Sequence, residues 1–255
     1  TRPRISFDER GYCSACIWSE EKKKLDWKKR KIMLEELLSK HRSNNKKFDC
    51  ITTVSGGKDG SYVTYNLKHK YRMNPLAVTI RPITETKLGI ENLNNFVSSG
   101  YDHILVSPDS EAMRTLCKIG LTEVGFPYYG WLIAIHSAVF RVAVQFNIPL
   151  VFYSEDGEVE YGGDAKNKND GIYGVDYIKS IYLEGGYEKI LKKIKLSERQ
   201  LFWFKFPSKE ELIKLKLNLE LKFIFRDLLT FLRLLANFYN LLYRIKIFFL
   251  HELSQ

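Results

Sequence analysis

Four short apolar runs, separated by segments of helical length, most constrain what this chain can fold into. They fall at residues 50–54, 76–80, 103–106 and 148–153, and each is too short to be a core helix. Between the last two runs, apolar residues recur at spacings of three and four from Leu132 to Phe146, as on the buried face of a helix. Continuously apolar strands that alternate with helices predict an α/β fold in which helices cover both faces of a parallel sheet.

Caps and spacing give the expected helix positions. We expect a small irregular appendage at residues 1–20, then a charged helix at 20–42, and a helix at 61–72 after the first strand. Thr84 and Ser110 are the expected N-caps of the next two helices.

Polar residues follow the strands where ligands of such sheets bind, at the carboxyl ends. They are residues 55–61, Arg81, residues 107–109 and residues 154–156. The sequence therefore predicts a binding site along one rim of the sheet.

The first of these segments is a glycine-rich turn, made of Ser55, Gly56, Gly57, Lys58, Asp59, Gly60 and Ser61. A strand, a glycine turn and a helix N-terminus aim backbone N–H groups at one point and predict a phosphate site. Lys58 adds a positive charge, Ser55 and Ser61 add hydroxyl donors, and Asp59 could hold Mg²⁺. The turn matches neither G-x-x-x-x-G-K-[ST] nor G-x-G-x-x-G.

It resembles the PP-loop, S-G-G-x-D-S/T, of ATP pyrophosphatases, which cleave ATP to AMP and pyrophosphate. Gly60 stands where that pattern has its hydroxyl residue. A bare Gly-Gly turn is more often structural than functional, but the Ser, Lys and Asp at their places in the pattern favour function.

A second cluster packs five carboxylates into residues 154–164, directly after the fourth apolar run. Such a cluster favours a cation, either Mg²⁺ on ATP or a substrate ammonium group; the alternative is an exposed acidic turn. Residues 126–131 could form an aromatic wall for a sugar or base, and His136 lies in the following helix. A lone helical histidine is more often a core or surface residue than a catalytic one.

The formal net charge of +10 favours anionic partners, although much of it is concentrated at residues 22–24 and 28–31, which could equally form a solvated helix face. We do not expect a nucleic-acid partner, because few aromatic residues are interleaved with these lysines. Four cysteines in 255 residues do not make a secreted disulfide framework, so we expect a cytoplasmic protein. Cys13 and Cys16 have the spacing of half a zinc site; the alternative is that they are a pair of free thiols.

Together these motifs resemble the N-acetyl sugar amidotransferases, PP-loop enzymes of surface polysaccharide (O-antigen) and nonulosonic acid biosynthesis. The resemblance covers residues 1–210 and is carried by Thr1–Asp8 with Cys13 and Cys16, the glycine turn, Tyr129–Trp131, Ile135–Val139 and Glu155–Gly163. It implies conversion of an acetamido group on a sugar into an acetamidino group. ATP would adenylate the amide oxygen, and ammonia would displace AMP.

The resemblance also implies roles for individual residues. Lys58, Asp59, Glu155 and Asp156 would be catalytic. The glycine turn would bind ATP, and Asp59 would hold Mg²⁺. The implied substrate-binding residues are Tyr129, Trp131, His136, Glu158, Glu160 and Tyr161.

The family also implies partners: a glutaminase subunit that releases ammonia and a cyclase-like subunit that channels it. Its zinc site has four cysteines. An additional C-x-x-C, upstream of the segment that begins at Thr1, would complete the site with Cys13 and Cys16. Zn²⁺ is therefore an expectation for the full-length protein, and a chain beginning at Thr1 without methionine is interpreted as a fragment.

Three segments are expected: residues 1–45 with the cysteines and the basic helix, residues 46–210 as the ATP-binding domain, and residues 211–255 as an atypical apolar and basic tail. The tail is interpreted as an interfacial helix, a partner-docking helix or, the version we favour, an out-of-frame extension. Arg233 interrupts its apolar run, which argues against a membrane span.

Two other functions compete with the amidotransferase. A tRNA-thiolating PP-loop enzyme would use the basic helix for RNA and a cysteine for catalysis, but no cysteine is predicted on the ligand rim. A non-catalytic remnant would bind ATP or a partner without turnover.

Overall fold

A computed structural model of the chain describes residues 4–43, 47–154 and 174–214. Nine α-helices and four strands lie in this part. In chain order they are α1 (Ser14–Lys22), α2 (Trp27–His41), β1 (Cys50–Thr53), α3 (Lys58–Tyr65), β2 (Pro75–Ile80), α4 (Lys87–Ser98), β3 (His103–Val106), α5 (Ser110–Ile119), α6 (Tyr129–Phe146), β4 (Val151–Phe152), α7 (Val175–Tyr177), α8 (Tyr187–Lys193) and α9 (Lys209–Lys214). The helices α3, α5 and α7 each continue into a π-helical turn.

The four strands form one sheet in the order β3-β2-β1-β4, and every pair is parallel. Ile51 pairs with Leu76 on one side and with Val151 on the other, which sets the register of the central strand. The predicted α/β fold with a parallel sheet is therefore confirmed.

Helices cover both faces of the sheet, because alternate strand residues point to opposite sides. On one face, Ile51, Val78 and Val151 pack in the main core with residues of α5 and α6. On the other face, Cys50 and Phe152 pack with Leu37 and Leu38 of α2 and with residues of α3. Phe96 of α4 closes a smaller cluster over Val54 and Ala77.

α6 is the longest of the nine α-helices that the structure describes, and most of its residues are buried. It is the one helix among the described residues that is long and apolar enough to cross a membrane, and 61% of that stretch is buried inside the fold. Burial of this extent is what a core helix requires, so its composition reflects packing against the sheet.

Several predicted boundaries were wrong. The helix expected at 20–42 is two helices, because Asp26 caps α2 by accepting a hydrogen bond from the Lys29 amide, and α1 occupies part of the expected irregular appendage. The N-cap of α4 is Thr86 rather than Thr84, and that of α5 is Asp109 rather than Ser110.

Candidate functional site

The strand order reverses between β1 and β4, which both leave the sheet toward the same rim. In open α/β sheets this reversal opens a crevice at the carboxyl ends of the strands, where ligands bind. The Ser154 hydroxyl, directly after β4, donates to the Thr53 carbonyl at 3.0 Å. The two strand ends that flank the crevice are thus tied together.

The backbone of the turn after β1 depends on Gly56. Its φ is +80°, a conformation that favours glycine, and an added Cβ would lie 2.5 Å from the Gly89 carbonyl oxygen of α4. Gly56 therefore lets the turn pass directly against the first turn of α4.

Packing does not require a glycine at position 57. Gly57 is the N-cap of α3, with an ordinary φ of −81° and no side-chain cap. An added Cβ would meet only the Ser55 hydroxyl, at 3.4 Å. Nothing among the described residues requires a glycine here, whereas a ligand approaching the backbone at the positive end of α3 would.

Lys58 and Asp59 begin α3 and pair with each other. The Lys58 ammonium lies 2.7 Å and 2.8 Å from the two carboxylate oxygens of Asp59, and the side chains are 56% and 36% exposed. An exposed pair contributes little to stability. Both groups therefore remain available to a charged ligand.

The other residues of the turn have defined contacts. The Ser61 hydroxyl donates to the Gly57 carbonyl at 2.9 Å, so its proton is used within α3, while Ser55 is exposed. An added Cβ on Gly60 would lie 2.5 Å from the Thr53 carbonyl oxygen. Gly60 thus lies directly against the backbone of β1, which gives a physical reason for glycine in place of the pattern's hydroxyl residue.

Arg81 and Asp109, which also lie on the predicted rim, differ in whether a neighbouring group already binds their charge. Arg81 lies 3.4 Å from Glu85 and is half exposed. Asp109 is committed to capping α5, since its carboxylate accepts hydrogen bonds from the amides of Glu111 and Ala112. This carboxylate therefore stabilises α5 rather than serving as a ligand-binding group.

The aromatic residues predicted to contact substrate are placed at different depths. Trp131 is half-buried, and its indole N–H lies 3.4 Å from the Ile80 carbonyl, so it sits at the carboxyl end of β2. Tyr129 is buried; its hydroxyl donates to the Leu183 carbonyl at 2.7 Å, and burial raises its pKa to about 12. Tyr129 therefore has a structural role in the core.

His136 is buried between the rings of Tyr153 and Tyr182, whose centroids lie 5.3 Å and 5.2 Å from its own. Among the residues described, neither of its ring nitrogens has a hydrogen-bond partner. Burial lowers the pKa of His136 to about 3, so the ring is neutral at physiological pH.

The acidic stretch lies outside the described residues. It includes Glu155, Asp156, Glu158, Glu160 and Tyr161, whose catalytic and substrate-binding roles stay predictions. What the structure does show is that the chain enters this stretch from Ser154, at the crevice beside the glycine turn.

Cys13 and Cys16 bring their sulfur atoms to 3.5 Å at the start of α1. Backbone hydrogen bonding at Cys16 lowers the pKa of the Cys13 thiol. Within residues 4–43, 47–154 and 174–214, no group of three or more potential metal ligands is found, so a zinc site is not supported here. Cys50 begins β1, at the end of the strand opposite the rim.

Sequence reasoning missed Thr79 and His103. The Thr79 hydroxyl donates to the Val54 carbonyl at the base of the glycine turn, at 2.5 Å, and His103 contacts that hydroxyl. The signal available in the sequence was a threonine within an otherwise apolar strand.

Comparison with known proteins gives limited similarity. No family model matches the chain. An uncharacterized protein from Methanocaldococcus jannaschii is 32% identical over 95 residues, which are 37% of this chain and 34% of that protein. The match thus spans about a third of the relative's length.

Three solved structures are similar at low TM-scores. An NH3-dependent NAD synthetase from Campylobacter jejuni has 17% sequence identity and a TM-score of 0.39, over 72% of this chain and 98% of that one. An NMN synthetase from Francisella tularensis has 14% identity and a TM-score of 0.34, over 71% of this chain and 93% of that one. A predicted tRNA methyltransferase subunit from M. jannaschii has 19% identity and a TM-score of 0.32, over 53% of this chain and 61% of that one. These similarities are too low to assign a function, and the fold assignment rests on the sheet order and register.

Proposed function

We propose that this chain binds MgATP through residues 55–61 and uses it to activate an acetamido group of a sugar. The observation that carries the nucleotide part is the glycine turn at the strand-order reversal. The space beside the Gly57 backbone is open to a ligand, and α3 begins at the next residue, so the N–H groups of its first turn are close by. The sugar part is supported by the sequence resemblance at Tyr129–Trp131, Ile135–Val139 and Glu155–Gly163.

The charges of the turn fit MgATP. Lys58 and Asp59 neutralise each other at 2.7 Å in this structure. A phosphate would take the ammonium, and Mg²⁺ would take the carboxylate oxygens that it prefers as ligands. MgATP thus offers each member of the pair a more highly charged partner than the one it has.

The proposed reaction joins the acetamido oxygen to the α-phosphorus of ATP and releases pyrophosphate. Ammonia then adds to the imidate carbon, AMP leaves, and an acetamidino group remains. Lys58 and the N–H groups of α3 would stabilise charge on the departing pyrophosphate. Glu155 and Asp156 would contribute carboxylates to Mg²⁺, and Trp131, Glu158, Glu160 and Tyr161 would contact the sugar.

Ammonia would be supplied by a separate glutaminase subunit through a cyclase-like partner, in the cytoplasm where ATP is available. The whole enzyme's sugar and partners remain part of this proposal.

The experiment measures AMP and pyrophosphate release by the full chain with MgATP, ammonium and a panel of nucleotide-linked and free N-acetyl sugars. Release that requires both a sugar and ammonium, and that Asp59→Ala removes, supports the proposal. Release with tRNA in place of the sugar would support a tRNA-modifying enzyme instead. Binding of MgATP without release under any condition would favour a non-catalytic nucleotide-binding chain.

A further inference from the structure

The peptide that joins β1 to the glycine turn is held by a side chain of the neighbouring strand. The Val54 amide donates to the Val78 carbonyl at 3.0 Å, as in an ordinary parallel ladder. The Val54 carbonyl, in contrast, accepts a hydrogen bond from a side chain, the Thr79 hydroxyl, at 2.5 Å. Thr79 is 3% exposed, so this bond is shielded from water.

His103 of β3 extends this contact by a second hydrogen bond. Its Nε2 lies 2.8 Å from the Thr79 hydroxyl oxygen. A threonine hydroxyl has a single hydrogen, and an oxygen–oxygen distance of 2.5 Å requires that hydrogen to lie toward Val54. Nε2 of His103 must therefore be the donor, and the hydrogen-bond chain runs from His103 to Thr79 to the Val54 carbonyl.

The direction of the Val54 carbonyl determines the direction of the next amide. In a planar trans peptide, the C=O of one residue and the N–H of the next point in opposite directions. The Val54 carbonyl points toward Thr79 on β2, and β2 and β4 lie on opposite sides of β1. The Ser55 N–H consequently points away from Thr79.

We propose that Thr79 and His103 are positioning residues that fix the Val54–Ser55 peptide and thereby aim the first N–H of the glycine turn at the ligand. The proposal rests on the proposed function as far as the ligand is MgATP. Neither residue touches the ligand, and both act through the Val54 carbonyl.

The test uses paired variants of the full chain. Thr79→Val removes both hydrogen bonds of this chain and His103→Leu removes one, whereas Thr79→Ser and His103→Gln keep a donor. Ser137→Ala is the matched control, because it removes a buried hydroxyl that lies 2.9 Å and 2.6 Å from the carbonyls of Ile133 and Trp203, in contacts of α6 that involve none of residues 54–61.

Two readouts are compared: amide hydrogen exchange of the peptide covering residues 54–60 without nucleotide, and the Kd for MgATP by calorimetry. Loss of the bond from His103 predicts that His103→Leu speeds exchange in that peptide and weakens MgATP binding about tenfold. Thr79→Val loses both bonds and should have at least that effect. The donor-keeping variants should stay within about twofold of the wild type, as should Ser137→Ala.

Wild-type exchange and affinity in folded Thr79→Val and His103→Leu would overturn the proposal, as would equal effects from Ser137→Ala. If the wild-type chain itself does not bind MgATP, the proposed function fails, and the exchange readout alone still decides the positioning role. Should Thr79→Val not fold, Thr79→Ser and His103→Leu give the same comparison.

Discussion

Replacing Gly60 by serine restores the hydroxyl of the PP-loop pattern, yet the structure predicts that it destabilises this chain. An added Cβ at this position lies 2.5 Å from the Thr53 carbonyl oxygen and 3.0 Å from the Val54 Cα. Both are backbone atoms of the central strand and its extension, so α3 itself would have to move outward.

Two effects of opposite sign set the magnitude. Serine is the better helix former than glycine by about 0.5 kcal/mol. Overpacking against backbone costs about 1–3 kcal/mol. The clash is the larger effect, so we expect a net loss of about 0.5–2.5 kcal/mol.

Urea denaturation of the wild type, Gly60→Ser and Gly57→Ala measures this loss. Gly57→Ala is the control, because its Cβ meets only the Ser55 hydroxyl at 3.4 Å, and it should stay within about 1 kcal/mol of the wild type. A Gly60→Ser chain as stable as the wild type, or more stable, would refute the close α3–β1 contact.

Substitutions at three further positions have defined outcomes. Gly56→Ala should lower the free energy of unfolding by about 1–2 kcal/mol from the positive φ alone, and by more because the added Cβ contacts α4. Denaturant unfolding should therefore show a variant less stable than the wild type. Asp109→Ala should cost about 1 kcal/mol by removing the α5 cap, and Asp109→Asn should recover most of that loss in the same assay. His136 has a lowered folded-state pKa, so the unfolded chain binds more protons between pH 6.5 and pH 3. Stability should therefore fall on acidification, by up to about 1.4 kcal/mol per pH unit, and His136→Phe should flatten that slope in melts across this range.

The parallel sheet could be predicted because its strands are mostly apolar, without the alternation of apolar and polar residues that a sheet with one exposed face shows. The order β3-β2-β1-β4 could not, since pairing between strands distant in sequence leaves no local signal. Helix starts were missed for a related reason: Thr84 and Thr86 are equally good caps in sequence, and only the approach of the Gly89 amide to the Thr86 hydroxyl distinguishes them.

The glycine turn was predicted as a phosphate site from residue types alone, and the structure shows which glycines packing explains. Gly56 and Gly60 lie against backbone, whereas Gly57 does not. The contact of Thr79 with the Val54 carbonyl could not be foreseen, because it depends on the register of β2 against β1. Tyr129 was predicted to contact substrate from its neighbourhood, while its depth in the core depends on how α6 packs.

Calorimetric titration of the full chain with MgATP tests the central claim most directly, with Gly57→Val and Asp59→Ala measured alongside it. Saturable binding by the wild type, weakened at least tenfold in both folded variants, is the predicted result. Absence of MgATP binding by the folded wild-type chain, or equal binding by Gly57→Val, would contradict a phosphate site at the start of α3.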